Sequence, residues 1–510
     1  MVKSYGINQK NNAPQLKKLL YILLFLNLSR ELGTICNLHS QSITWQRVFG
    51  GPGNDFGYAV TQTLDGGYAF VGLSDNTANF YKIDSLGNEE WRKNYVFSGP
   101  GLTSLNNIIQ LSDGSYIIGG TKLSSERIVL IKTNNQGDTL WTKMYSYNGL
   151  DSRLSSMKLL SDSGFIMCGE VLFASPPGLR AYVIRVDSNG NLLWQNVYMD
   201  STHNSVQDIV QDNSGNYYYS SSTWNNGGRS YGLITKLSNT GEKLWSKFIL
   251  NNSNYLVGGA ENILIEGNNT LVVKGGYDTL LTGINFIGKF DTAGNRISMN
   301  SYFLGVNMMD MHKALNGDYI FTGLGGPPNY DVPFYRINVA GSKAFMVFIN
   351  SSGNELDNGF GINGTNDNGS IIVGSTSFGV LTDALSGFEG NILVIKTDSS
   401  GYAPPVKIVP VSSIIPEEFK VRQNYPNPFN PTTRFKVALP RSGFVSVRVY
   451  DILGREVTII ADLNLKYGIY ELEWDVNENP LGDRPLSSGV YFIKVTFESL
   501  TEFVKAVYIK

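Results

Sequence analysis

The sequence predicts an all-β protein: a seven-bladed β-propeller closed by an N-terminal strand, followed by a small Ig-like β-sandwich. Three observations carry that expectation. First, a turn of the form D/N-x-x-G-N/D/E, entered from an apolar or Lys-containing strand and often followed by Trp, recurs seven times, with Ser238 in first place in the fourth copy and Tyr402 in last place in the seventh. Its glycines, Gly87, Gly137, Gly190, Gly241, Gly294, Gly353 and Gly401, are separated by 50, 53, 51, 53, 59 and 48 residues. Strand-like text repeating at such a period is propeller spacing. Second, another turn precedes each mark, as in LDGGY (64–68), SDGSY (112–116), SDSGF (161–165) and NDNGS (366–370). Each unit therefore holds four strands, a to d, near 57–63, 68–74, 79–84 and 90–96 in the first. Third, ITWQRVFGG (43–51) reads as a strand d without its own a, b or c, while the last unit (about 359–398) runs into Pro404 and Pro405 where d should be. Pairing the two closes the ring and removes an exposed edge.

The turns have a simple chemistry. Asp or Asn binds its own backbone two residues on, and Gly supplies the positive φ of a tight hairpin. Trp91, Trp141, Trp194 and Trp245 sit at one fixed offset on strand d, which suits packing between blades; Ser298 and Asp357 take that place in units five and six.

At the N-terminus, Lys17 and Lys18 precede the apolar run 19–28, too short to span a bilayer and suited to the h-region of a signal peptide within 1–42. Cys36 invites a lipoprotein reading, which Ile35 before it disfavours. Cys168 lies in the strand FIMCGE, as a small core residue would. The domain layout expected is 1–42 signal peptide, 43–400 propeller, 401–423 Pro-rich linker and 424–510 C-terminal module. No membrane span is expected in the mature chain.

Composition narrows the function. The 41 Lys+Arg nearly balance 43 Asp+Glu, so nucleic acid is not an expected partner. With three histidines and no H-E-x-x-H or C-x-x-C spacing, a paired-His zinc site is excluded. No G-x-S-x-G elbow or P-loop occurs, no catalytic residue is assigned and no cofactor is expected. The string 212–216 (DNSGN) alternates oxygen ligands as a calcium loop does, but it lacks a terminal Glu and coincides with the a–b turn. Tyr335-Arg336-Ile337-Asn338 resembles the Arg-bearing motif of sialidases, with Asn where that motif has Pro.

The a–b and c–d turns share one face of a propeller, so that face is uniform scaffold, and the b–c and d–a loops on the other face are where units differ. The b–c loops expected at 171–180, 222–230, 325–342 and 377–390 carry the candidate ligand residues Phe173, Arg180, Trp224, Arg229, Tyr330, Asp331, Phe334, Tyr335, Asp383 and Phe388. Aromatics with Asn, Asp and Arg around a funnel suit a glycan or a surface protein. The readings left open are a binding and adhesion module, a secreted polysaccharide hydrolase or lyase, and a structural surface-layer component.

The units resemble those of secreted bacterial propellers with W-x-x-x-x-G-G…D-G-G-Y…D-x-x-G-N-x-x-W repeats. Residues 424–510 carry N-P-F-N-P, V-x-V-Y-D-x-L-G-R-E-V, L-S-S-G-V-Y-F-I-K-V and a basic terminal strand in order. This resembles the C-terminal sorting domain of the type IX secretion system. The resemblance implies Sec export, recognition of 424–510 by the outer-membrane type IX machinery as partner, and a secreted or cell-surface destination.

Overall fold

The computed structural model describes residues 43–510, apart from 51–54, 75–76, 98–102, 123–125, 200–202, 225–229, 250–256, 268, 279–282, 303–306, 325–330, 350–356, 378–389, 404–407, 413–414, 442, 466 and 477–485. The expected signal segment 1–42 thus lies outside the described residues. So do Gly353, Arg229, Tyr330, Asp383 and Phe388.

The described chain is all-β. Residues 45–397 form seven four-stranded antiparallel sheets, the repeated arrangement of a β-propeller. In the first sheet strands a to d are Phe56–Gln62, Tyr68–Ser74, Thr77–Ile83 and Glu89–Tyr95. The other strands a are Thr103–Gln110, Ser152–Leu159, His203–Gln211, Val257–Glu266, Met308–Lys313 and Asp357–Gly364. The seventh sheet takes its fourth strand from the other end of the chain. Trp45–Phe49 pairs with Gly390–Thr397, setting Trp45 opposite Lys396 and Phe49 opposite Ile392.

Neighbouring sheets are held by the repeated turn. In the third sheet, Asp187 Oδ1 accepts from the amides of Asn189 and Asn191, both at 2.8 Å. Gly190 follows at φ 72°, in the left-handed region. A Cβ there would stand 2.9 Å from Trp141 of the preceding sheet. The Trp on strand d thus caps the turn of the next unit, and Trp45 caps Gly87 likewise. A Tyr four residues after the Trp completes the clamp. Tyr95, Tyr145 and Tyr198 donate their hydroxyls to the carbonyls of Gly137, Gly190 and Gly241 at 2.8, 2.6 and 2.7 Å. The Trp packing expected between units is what these contacts show.

The sixth unit corrects the sequence reading. Its strand c is Val332–Ile337, its turn is Asn338–Gly341 and its strand d is Lys343–Ile349. The turn was expected instead at 350–354, around Gly353. Two D/N-x-x-G strings compete there. The true one is disguised by apolar Val339 and Ala340, and Pro333 makes its strand c read as loop. Asn338 Oδ1 nonetheless accepts the Ser342 amide at 2.9 Å. Phe345 therefore stands at the Trp offset, and Asp357 opens strand a of the seventh sheet.

A buried cation on strand c reaches the carboxylate of the a–b turn in several sheets. Lys82 reaches Asp65 at 2.9 Å, Arg336 reaches Asp318 at 2.9 Å and Lys396 reaches Asp367 at 2.8 Å. Arg185 pairs with Asp162 in the same way. The Arg of the sialidase-like string is thus a scaffold residue, its Nη1 also donating to the Ser399 carbonyl at 2.7 Å.

The C-terminal module comprises two four-stranded sheets around one core that includes Phe435, Leu472, Trp474, Ile493 and Phe497. Strict alternation of buried and partly exposed residues along Gly468–Asp475 shows one face in the core and one outside. The segment read as a linker contributes strands to this module: Ile408–Ser412 pairs with Gly468–Asp475, and Lys420–Val421 with Thr432–Leu439. Ile408–Ser412 is an edge strand, where Pro410 is tolerated. Among the described residues, no helix is long and apolar enough to cross a membrane.

Candidate functional site: a collar of bulged residues

Every strand a breaks register with strand b once, within its first five residues. The residue skipped is Tyr58, Asn106, Ser155, Gln207, Glu261, Met309 or Phe360 in turn. The residue before it is buried in every sheet, and the skipped residue in none. A bulge releases one side chain from the ladder and re-aims it, and such features gather beside binding sites. Strands a of neighbouring sheets lie against one another from the first to the fifth and from the sixth through the seventh to the first, and Asn262 donates to Asp310 Oδ1 at 3.3 Å between the fifth and the sixth. The seven skipped residues therefore form a collar at the inner edge, near the end of strand a that follows the variable d–a loops.

The collar is divided by chemistry. Met309, Phe360 and Tyr58 come from the consecutive sixth, seventh and first sheets and make the apolar arc. Phe360 lies 6.0 Å from Tyr58, and Phe56 joins both at 6.2 and 6.3 Å between ring centroids. Burial raises the Tyr58 phenol above its usual range. Asn106, Ser155, Gln207 and Glu261 make the polar arc. Asn106 donates to the Leu154 carbonyl at 2.9 Å and Gln207 to Ser205 Oγ at 2.9 Å. Glu261 is paired with Lys274, whose side chain is fully buried.

In the second to the sixth sheet the next residue along strand a ties sheets together. Asn107 Oδ1 accepts the Met157 amide at 2.9 Å. Ser156 donates to Asp208 Oδ1 at 2.6 Å, while Asp208 Oδ2 accepts the Ile263 amide at 3.2 Å. Asp310 repeats the arrangement, accepting from Met311 at 2.8 Å and from Ile362 of the seventh sheet at 3.0 Å. Lys158 Nζ lies 2.9 Å from Asp208. Burial lowers the Lys158 amine, but the charge and hydrogen bond of Asp208, together with the Asp310 charge, outweigh it and the net shift is upward. Burial raises the Asp310 carboxyl and lowers the His312 imidazole. Among the described residues, no group of three or more His, Cys, Asp or Glu could hold a metal ion. Asp212 of the calcium-like string spends its Oδ1 on the amides of Ser214 and Asn216, as a turn residue does.

Of the residues expected to bind ligand, the structure brings Phe173 and Arg180 together, with the guanidinium 5.9 Å from the ring centre. Both lie on extended strands b and c that close at 175–176, not in a loop over 171–180. Trp224 ends strand b of the fourth sheet and is 37% exposed. Asp331 is buried just before strand c, and burial raises its carboxyl. Phe334 and Tyr335 are core residues on strand c at 0 and 1% exposure, a consequence of the misplaced sixth turn. The collar itself left no motif, because its seven members are seven different residue types.

Residues 423–510 match the family model described as the secretion system C-terminal sorting domain. No curated protein matches the chain. Among solved structures, a Bacteroides caccae protein of unknown function is similar at 12% identity, covering 55% of this chain and 93% of its own, with a TM-score of 0.38. A Dyadobacter fermentans protein of unknown function gives 9%, 69%, 98% and 0.39. The extracellular domains 1–2 of Drosophila Semaphorin 1a give 9%, 69%, 87% and 0.43. Likenesses of this size carry no functional argument. The C-terminal match stands on its own: residues 423–510 are a type IX secretion sorting domain, and they direct this protein to the cell surface or the extracellular space.

Proposed function

We propose that the protein is an exported binding and adhesion module: a seven-bladed propeller closed by its N-terminal strand, delivered by an Ig-like sorting sandwich. A signal peptide within 1–42 would start the route, and the type IX machinery would engage 424–510. The observation that supports a binding role is the contrast between the two faces. The a–b and c–d turns repeat one hydrogen-bonded design, whereas the b–c connections range from 175–176 to 378–389. Function on a rigid scaffold concentrates in such variable connections. The loop residues Arg229, Tyr330, Asp383 and Phe388, with Trp224 and the Phe173–Arg180 pair, belong to that face in this reading.

The test uses the full exported chain, immobilised and presented with surface polysaccharides and whole bacterial cells. Retention by wild type, weakened at least fivefold by a Trp224→Ala/Phe388→Ala double variant, is the expected result. Equal retention of wild type and variant, or none by either, would refute recognition through this face.

A further inference from the structure

We infer that the divided collar is a saccharide site, taking one pyranose unit of a neutral glycan between its apolar and polar arcs. This rests on the binding role proposed above and adds the ligand class and the residues. A pyranose has an apolar face of C–H groups and a periphery of hydroxyls that both donate and accept. The collar offers the matching pair of surfaces. Tyr58, Phe360 and Phe56 form one partly buried aromatic cluster with all three centroid separations near 6 Å. Across the ring of strands a stand amide, hydroxyl and carboxylate groups: Asn106, Ser155, Gln207 and Glu261.

The order of the residues gives the inference its force. The three apolar members occupy consecutive sheets, and so do the four polar ones. A collar that merely filled space would have no need to segregate them. The polar arc is also held in place before any ligand arrives. Asn106 is fixed by the Leu154 carbonyl, Gln207 by Ser205 and Glu261 by buried Lys274. Fixing such groups beforehand lowers the entropy lost on binding. Gln207 anchors through its amide nitrogen, so its carbonyl oxygen remains to accept from a sugar hydroxyl. The net charge of −2 and the single carboxylate in the collar fit a neutral glycan better than a uronate-rich one.

The experiment titrates the full exported chain with cello-, laminari-, xylo- and mannohexaose by calorimetry. Wild type is compared with Phe360→Leu, Tyr58→Leu, Gln207→Ala and Trp224→Ala. The leucine variants keep apolar volume while removing the aromatic face, and circular dichroism checks that each still folds. At least one hexaose should bind wild type and lose about tenfold or more in affinity with Phe360→Leu and with Gln207→Ala. Binding lost only in Trp224→Ala would overturn the collar assignment and leave the broader face reading standing. No binding of any hexaose by folded wild type would overturn the saccharide site. The cell-retention assay then decides the broader reading separately.

Discussion

Replacing Asp208 by Asn changes one oxygen for one NH2 and strikes the tie between the third, fourth and fifth sheets. In the native protein Oδ1 accepts from Ser156 at 2.6 Å and from its own neighbour Ile209 at 2.9 Å, and faces Lys158 at 2.9 Å. Oδ2 accepts the Ile263 amide at 3.2 Å. An asparagine can keep only one of these two acceptor sets. If its oxygen serves Ser156 and Ile209, its NH2 confronts the Ile263 N–H, donor against donor. That leaves a buried amide unsatisfied, at about 1–3 kcal/mol. The substitution also removes the charge opposite Lys158. Breaking a buried pair costs about 3–5 kcal/mol, but the Lys158 side chain is 40% exposed, so water screens much of that share. The expected loss is about 2–4 kcal/mol. Urea unfolding of the full chain, followed by Trp fluorescence, reads it as a lower midpoint. Ser155→Ala, one residue earlier in the collar, should stay within about 0.5 kcal/mol of wild type. Lys158→Met combined with Asp208→Asn should recover part of the loss, because no cation is then left unpaired. Equal midpoints for Asp208→Asn and Ser155→Ala would refute the structural assignment of this tier.

Two further outcomes follow from the same packing. Gly190→Ala should lower stability by about 2–4 kcal/mol, combining left-handed backbone strain with overpacking against Trp141; Gly454→Ala, at φ 76° with open space around it, should show the strain alone. Thermal midpoints should fall in two stages with acid. Burial holds His312 below its ordinary 6.5, so the unfolded chain binds the proton first and stability declines as pH drops below 6.5. For Asp65, Asp367 and Glu266, burial alone would raise the carboxyl, but their lysine and hydroxyl partners, with a backbone amide for the two aspartates, outweigh it and hold each below its ordinary value. Their contribution is complete above those ordinary values of 3.8 and 4.5 and is lost as pH falls through the depressed ones. A His312→Asn variant should lose the first stage and keep the second; an unchanged profile in calorimetry would contradict the buried imidazole.

What the sequence made legible was whatever backbone chemistry must repeat. A hairpin that needs positive φ favours Gly, and an Asp or Asn (Ser238 in the fourth unit) closes it from three residues earlier, so the period could be counted. The orphan strand 43–49 was recognisable because its Trp45 and the Gly-Gly after it read as a strand d and its loop with no a, b or c before them. The sixth turn was lost because Asn338 alone carries its polar signature while a stronger decoy follows. That single slip turned the strand holding Phe334 and Tyr335 into an apparent loop and made core aromatics look like ligand residues. The Trp-to-Tyr spacing of four, in Trp91–Tyr95, Trp141–Tyr145 and Trp194–Tyr198, was present in the text as a signal of the cross-sheet clamp. The collar left no such trace. A bulge is a property of pairing between strands, and the residue it frees is under no ladder constraint, so no residue type marks it.

That freedom also explains how one strand can serve stability and recognition at adjacent positions. The skipped residue pairs with nothing across the ladder, so Tyr, Asn, Ser, Gln, Glu, Met and Phe are all admitted there. Register resumes at the next residue, and side chains at 107, 156, 208, 262 and 310 reach neighbouring strands a, chiefly through amide and carboxylate groups that satisfy them. Without the bulge, strict alternation would send consecutive residues to opposite faces of the sheet, and one of the two would have to enter the interface between sheets. Inserting the extra residue separates the two tasks by a single peptide. The collar can then change chemistry from sheet to sheet, apolar over one arc and polar over the other, while the ties just below it hold the strands in place.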